Sequence, residues 1–226
     1  MDSTKSPLVH LIPWDPESPS HIALMTAQRV ACGWKSEKVE SWREEQRTGD
    51  MNLQWIVPTT TPVLPSTSSS ASASLTDTAP TFGAAPRTPT LTPFVPAGHI
   101  ALTRTYETPG HMPPTPHLYF ISNFFISPAQ QSSGLGRAAM DLIETLATSP
   151  PLNARTLALS TAVDDGEGRE EKLAAFGREA PRVSTQRWYE RRGYVPFKRV
   201  REMWWETDGK GREWPTEAVF MRKDIK

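Results

Sequence analysis

Cysteine is nearly absent. The single thiol, Cys32, cannot close an internal disulfide, which fits a reducing compartment. Excess charge is absent as well: 25 Lys and Arg face 25 Asp and Glu. There is then no global electrostatic case for nucleic acid or an anionic membrane as partner. No apolar run reaches the length needed to span a bilayer. The opening stretch "MDSTKSPLVHLIPWDPES" carries acids and no apolar h-region, so it does not read as a secretory signal. These absences predict a cytoplasmic protein, open to the nucleus, with no nucleic-acid or membrane partner. At 226 residues there is room for one good-sized domain carrying insertions. What is abundant is tryptophan, eight in all. Most should sit in the core, with some lining a groove.

Residues 20–50 read as two helices. Ile22, Met25, Val30 and Trp34 mark an apolar face, and Val39 and Trp42 continue it past Gly33. "MNLQWIVP" reads as a strand ended by Pro58. Residues 59–96 are dominated by Thr, Ser, Pro and Ala, which predicts a disordered insertion inside one domain rather than a boundary. "GHIALTRTYE" and "HLYFISNFFI" are two further strands, and a helix runs from about Leu135 to Ala147. "TLALSTAV" is apolar enough for a central strand. Residues 164–181 form a charged, glycine-punctuated surface insertion. "STQRWYERRGY" has a Ser/Thr N-cap signal and a C-cap glycine, and two closing strands surround a polar turn. The order is that of a mixed α/β layer fold.

The chemistry gathers at "PAQQSSGLGR". A bulky strand leaves through two serines and two glycines into a helix, which turns backbone N–H groups toward the positive end of a helix dipole and makes an anion site. A P-loop would need Lys-Ser/Thr after Gly136, where Arg137-Ala138 stands. A dinucleotide fingerprint would open the first βαβ unit, and this loop comes after three strands.

The loop Gln131-Ser132-Ser133-Gly134-Leu135-Gly136 matches the Q/R-x-x-G-x-G/A pattern and resembles that of the GCN5-related N-acetyltransferase (GNAT) superfamily, with Ile126 and Pro128 in the usual approach. Trp188-Tyr189-Glu190-Arg191-Arg192-Gly193-Tyr194 resembles that family's aromatic-Tyr-Glu-x-x-Gly-aromatic helix end. The resemblance covers residues 53–225, and the layout with "RVACGW" is similar to fungal members. It implies one acetyltransferase domain over residues 1–226, with a mostly antiparallel central sheet flanked by helices and splayed where acetyl-CoA binds. Acetyl-CoA would be the co-substrate and an amine the acceptor, without a metal.

The resemblance also implies roles for particular residues. Amides from Ser132 through Arg137, with Gln131, Ser133, Gly134, Leu135 and Gly136 in the cradle, would hold the pyrophosphate. Phe124, Phe125 and Ile126 would pair with the pantetheine arm as an added strand does. The N–H of Phe125 or of Ile126 would face the thioester oxygen. Tyr189 would protonate the leaving thiolate, and Tyr194 would be core. Asn123 and Trp34 are the candidate acceptor contacts, with Trp42, Trp204, Trp205 and Trp214 as further aromatics near such a pocket. Arg182 stands where the family often has Asn, and could reach a phosphate or face solvent. The base is open between Glu107, His117 and a water held by Asn123. The acceptor is expected to be a small amine. A protein or peptide acceptor, or a non-catalytic acyl-CoA-binding or interaction protein, are the alternatives. Monomer and homodimer both stay open.

Overall fold

A strand precedes both N-terminal helices. Val9–Pro13 (β1) pairs antiparallel with the later strand Met51–Pro58 (β2), in the register Val9↔Pro58 to Pro13↔Gln54. Between them lie helix α1 (Pro19–Cys32) and helix α2 (Val39–Thr48), joined by a 3-10 turn at Ser36–Lys38. Pro19 sits in the first turn of α1, where its missing N–H costs nothing. This computed structural model describes residues 7–60, 74–105 and 115–225. The chain falls into two compact units, Met1–Ala154 and Arg155–Lys226.

In the first unit, four two-residue strands follow β2: β3 (Leu75–Thr76), β4 (Thr81–Phe82), β5 (Ala85–Pro86) and β6 (Pro93–Phe94). Then come β7 (Gly98–Thr103), β8 (Leu118–Ile126) and helix α3 (Leu135–Thr148). β1, β2, β7 and β8 pair in that order, each pairing antiparallel. α3 lies against β1, β7 and β8, and α2 against β2. The second unit holds β9 (Thr156–Ala162), helices α4 (Arg169–Ala175) and α5 (Thr185–Glu190), and the hairpin β10 (Val195–Thr207) and β11 (Glu213–Asp224). Its strand order is β9, β11, β10, again antiparallel, and α5 packs on β9. The architecture is mixed α/β, with a mostly antiparallel sheet flanked by helices, as expected.

Two expectations change. Disorder across 59–96 does not hold for residues 75–96; residues 61–73 lie outside the described residues. β3 and β6 pair Leu75 with Phe94, and both side chains join the core formed by Trp14, Met25, Trp42, Met51 and Trp55. Asp77 is 2 % exposed and holds the segment together. It accepts two hydrogen bonds from Arg87, both at 2.7 Å, and two from Thr90, from N–H at 3.1 Å and from Oγ1 at 2.8 Å. Two well-placed apolar side chains and one saturated carboxylate order a stretch whose average composition argues against order. Second, the helical face is narrower than the pattern suggests. Val30 is exposed and Trp34 only partly covered, while His21 and Arg29 are buried in their place.

Arg87 and Thr90 hold the Asp77 carboxyl down at about 2. The folded value lies below the ordinary one, so this contribution is present above pH ~4 and is lost as pH falls toward 2. It amounts to about 2 kcal/mol. Urea unfolding should show Asp77→Asn less stable than wild type by at least that much at pH 6, with the gap closing between pH ~4 and pH ~2.

Gly98 opens β7 directly against β8. A Cβ there would lie 2.0 Å from the Phe125 carbonyl oxygen and 3.0 Å from Ile126 Cα. Both are backbone atoms, so the strands themselves must part. Gly98→Ala should cost about 2–4 kcal/mol in urea unfolding.

Candidate active site

β8 is not a regular strand. His99 pairs with Phe125 but Ala101 pairs with Ser122, so three steps on β8 face two on β7. The extra residue is a bulge, and Asn123 takes it up at φ +50. Both polar atoms of the Asn123 side chain are buried with no hydrogen-bond partner among the described residues, as is Ser122 Oγ. A buried amide without partners costs roughly 1–3 kcal/mol. Such groups at a bulge call for partners from outside the chain, water or a ligand. Phe124, Phe125 and Ile126 follow, each half-buried.

The chain then makes a 3-10 turn at Pro128–Gln130. Gln131 Nε2 donates back to the Ile126 carbonyl at 3.0 Å, and Ser133 Oγ donates to the Gln130 carbonyl at 2.5 Å. These bonds fold the loop on itself and leave Gln131, Ser132, Ser133 and Gly134 on the surface. Gly134 is the N-cap of α3 at φ +87, and no side chain caps the helix. The first-turn amides of Leu135, Gly136 and Arg137 therefore keep their donors for something else, with no acid in that turn to compete. Gly136 is informative because neither φ nor crowding requires it. A Cβ there would meet Phe124 Cζ at 3.6 Å and Ile126 Cγ1 at 3.9 Å, ordinary contacts. What the missing side chain preserves is open approach to the amides. The cradle fits a phosphate or pyrophosphate.

In the second unit, Ser184 caps α5 by accepting the Arg187 N–H at 3.1 Å. This helix carries Tyr189, which is 7 % exposed; its C-cap is Arg191 rather than the expected Gly193, which follows in the turn at φ +87. The Tyr189 ring packs edge-on against Trp188 at 4.9 Å and Tyr194 at 5.7 Å between centroids. Burial raises its phenol above the ordinary range, more than the nearby Arg192 charge lowers it. The hydroxyl therefore stays protonated through the neutral range and can only donate a proton, not take one. It makes no hydrogen bond to the protein among the described residues, unlike the satisfied hydroxyl of a purely structural tyrosine. Tyr194 is core, 1 % exposed.

The other candidates disperse. Trp34 is 36 % exposed, with its carbonyl accepting from Arg29 Nε at 2.8 Å. Trp42 and Trp214 are buried and belong to the packing, whereas Trp205 is exposed and Trp204 half-buried. Arg182 is exposed. His117 sits at a strand end, its Nδ1 bonded to the Asn153 carbonyl at 2.9 Å. Glu107 lies outside the described residues.

One cluster escaped the sequence. His99 on β7 is fully buried, its ring 5.5 Å from that of Phe125. Its Nδ1–H donates to Gln28 Oε1 at 2.7 Å, and Nε2 accepts from Arg29 Nη1 at 3.3 Å. Burial, and then the Arg29 charge, push its imidazole well below its usual range, so it is neutral. It ties α1 to the strand that backs the bulge. The only sequence signal was a histidine inside an otherwise apolar strand, "GHIALT". Among the described residues there is no group of three or more His, Cys, Asp or Glu that could hold a metal ion. No helix among them is long and apolar enough to cross a membrane.

Comparison with known proteins bears on these features. The profile of the acetyltransferase (GNAT) family matches residues 54–194, more than half of the chain. No curated protein sequence gives a significant match. Among solved structures, an aminoglycoside 6'-N-acetyltransferase complexed with coenzyme A is similar at TM-score 0.53 and 12 % identity, over 96 % of this chain and 97 % of that one. Spermidine/spermine N-acetyltransferase SpeG from Vibrio cholerae is similar at TM-score 0.52 and 11 % identity, over 96 % and 92 %. Arabidopsis thaliana NAA60, in complex with a bisubstrate analogue, is similar at TM-score 0.50 and 10 % identity, over 96 % and 99 %. At such identities the likeness is one of fold.

Proposed function

The chain belongs to the acetyltransferase (GNAT) family, whose members are acetyl-CoA-dependent acyltransferases, and on that premise we propose that it transfers an acetyl group to the primary amine of a small molecule. The observation that carries this reading is the bulged β8 running into an uncapped α3 N-terminus. In one continuous segment it offers strand backbone, orphaned amide groups and an anion cradle. Acetyl-CoA has the matching parts, a pantetheine arm and a pyrophosphate.

The cradle of Gln131, Ser132, Ser133, Gly134, Leu135, Gly136 and Arg137 binds the pyrophosphate. Phe124 to Ile126 bond to the pantetheine arm, and a backbone N–H of Phe125 or Ile126 meets the thioester oxygen. Attack is direct, within a ternary complex: the neutral amine adds to the thioester carbon, the thiolate leaves, and Tyr189 donates its proton to it. Asn123 and Trp34 contact the acceptor. We read residues 1–226 as one catalytic domain, since the family match runs through both units. The protein acts in the cytoplasm or nucleus, and its fungal character rests on the layout around "RVACGW" alone. That two of the similar folds are named for aminoglycosides and for spermidine supports a small amine over a peptide. The test is a screen of amines and peptides for thiol release from acetyl-CoA. Turnover with small amines and none with peptides is the expected result, and turnover with peptides alone overturns the choice of acceptor.

A further inference from the structure

A row of rings crosses the first unit and ends at the bulged end of β8. Phe125, His99 and Trp55 are cross-strand partners on β8, β7 and β2. Ring centroids lie 5.5 Å apart between Phe125 and His99, and 6.2 Å apart between His99 and Trp55. His21 on α1 continues the row, 6.0 Å from Trp55. His21, Trp55 and His99 are fully buried, and Phe125 is half-buried. Hydrogen bonds as well as packing fix the row. Trp55 Nε1–H donates to His21 Nδ1 at 3.1 Å, so the His21 proton sits on Nε2, which donates to the Thr76 carbonyl at 2.9 Å.

His99 is held in the same manner. The Arg29 guanidinium can only donate, so His99 Nε2 must accept, and the ring proton sits on Nδ1 facing Gln28. A half-turn of the imidazole would lose both bonds. Arg29 is itself 4 % exposed and fixed, with Nε on the Trp34 carbonyl at 2.8 Å and its guanidinium 5.6 Å over the Trp42 ring. An apolar residue at position 99 would fill the volume; a bonded imidazole also sets a plane.

That plane matters because β8 is lightly tied at this end. The bulge breaks the ladder between His99 and Ala101. Beyond it β8 meets β7 through Phe125 opposite His99 and Ile126 opposite Gly98, and the Ser127 N–H then donates to the Ala97 carbonyl at 2.8 Å. In so short a run a cross-strand ring pair is a large share of the hold. We propose that His99 is a positioning residue for acetyl-CoA: held by Gln28 and Arg29, it fixes the Phe125 end of β8 in the orientation that pairs with the pantetheine arm. This role rests on the acetyltransferase reading. The pyrophosphate is met elsewhere, by the cradle at the start of α3, so His99 acts on one half of the ligand and not on the other.

The test is calorimetry on the full chain with two ligands: acetyl-CoA, and ADP, which carries a pyrophosphate and no pantetheine arm. His99→Leu keeps the bulk and removes the ring plane and both bonds. It should weaken acetyl-CoA at least about tenfold and leave ADP within about twofold of wild type. Gln28→Ala, on the half-buried side of α1, should weaken acetyl-CoA about threefold to tenfold, again sparing ADP. Gln28→Glu keeps an acceptor for Nδ1–H and should restore acetyl-CoA binding to within about twofold of wild type. A purely structural histidine would move both ligands together or neither. Equal losses for acetyl-CoA and ADP, or unchanged acetyl-CoA binding in His99→Leu, overturn the proposal and spare the acetyltransferase reading. If His99→Leu fails to fold, Gln28→Ala decides in the same way. Wild-type protein that binds no acetyl-CoA removes the acetyltransferase reading and this role with it.

Discussion

Gly136→Glu is expected to lose acetyl-CoA binding by at least about 100-fold in calorimetry while unfolding at the wild-type temperature. The position is half-buried in the first turn of α3, and its backbone needs no positive φ. A Cβ fits there at ordinary contact distance from Phe124 and Ile126, so the fold has no objection to a side chain. The ligand does. A carboxylate at the mouth of the cradle stands within a few ångströms of the pyrophosphate, where like charges repel by about 4 kcal/mol per pair at the effective dielectric of a protein surface. It also occupies the N–H groups that the phosphate needs. Gly136→Ala separates these effects: it should retain most of the affinity, and Gly136→Gln should fall between. Gly134→Glu should also lose binding, but with added backbone strain, because Gly134 sits at φ +87. Wild-type protein that shows no heat with acetyl-CoA, in metal-free buffer, would remove the acetyltransferase reading altogether.

The legible parts of this protein are those encoded within a few residues. The loop from Gln131 to Gly136 and the Ser184 N-cap carry their geometry in local spacing, and both fold as that spacing implies, whereas the C-cap falls at Arg191, two residues before Gly193. β2 also ends where Pro58 predicts. What stayed hidden depends on residues far apart in the chain. "VHLIP" is too short to announce itself, and becomes β1 because β2 offers it an edge. Leu75 and Phe94 look isolated within a Ser/Thr/Pro-rich stretch until Asp77 and Arg87 bring them together over the core. The bulge at Asn123 is a mismatch of register between two strands, which neither strand's sequence contains. His99 and Arg29 stand 70 positions apart in the chain and meet only in the interior, where each supplies the other's partner. Likewise, Trp42 was rightly placed on the apolar face of its helix, but that face points into the core rather than toward a substrate. Positions with long-range consequences are also where the site acquires its orphaned polar groups, which local pattern has no means to register.

Tyr189→Phe is the most direct probe of the chemistry. The substitution removes one oxygen and keeps the ring, so the edge-on contacts with Trp188 and Tyr194 survive. The hydroxyl forms no bond to the protein among the described residues, so its loss should cost little stability, within about 1 kcal/mol. If that hydroxyl protonates the departing thiolate, kcat should fall by about 10²–10⁴. Acetyl-CoA affinity should hardly move, because the interaction develops with the negative charge on sulfur and is absent in the ground state. The pH profile adds a second reading. Burial holds the phenol above its ordinary range, so the wild-type donor should not titrate between pH 6 and pH 9. Any alkaline loss of kcat in that window must then come from another group. Restoring an acid of lower pKa, as in Tyr189→His, should return part of the rate and introduce an alkaline limb near its own pKa, around 6–7. With chemistry shown to limit the rate under saturating acetyl-CoA, a Tyr189→Phe enzyme turning over like wild type would take Tyr189 out of the mechanism and leave solvent as the proton source.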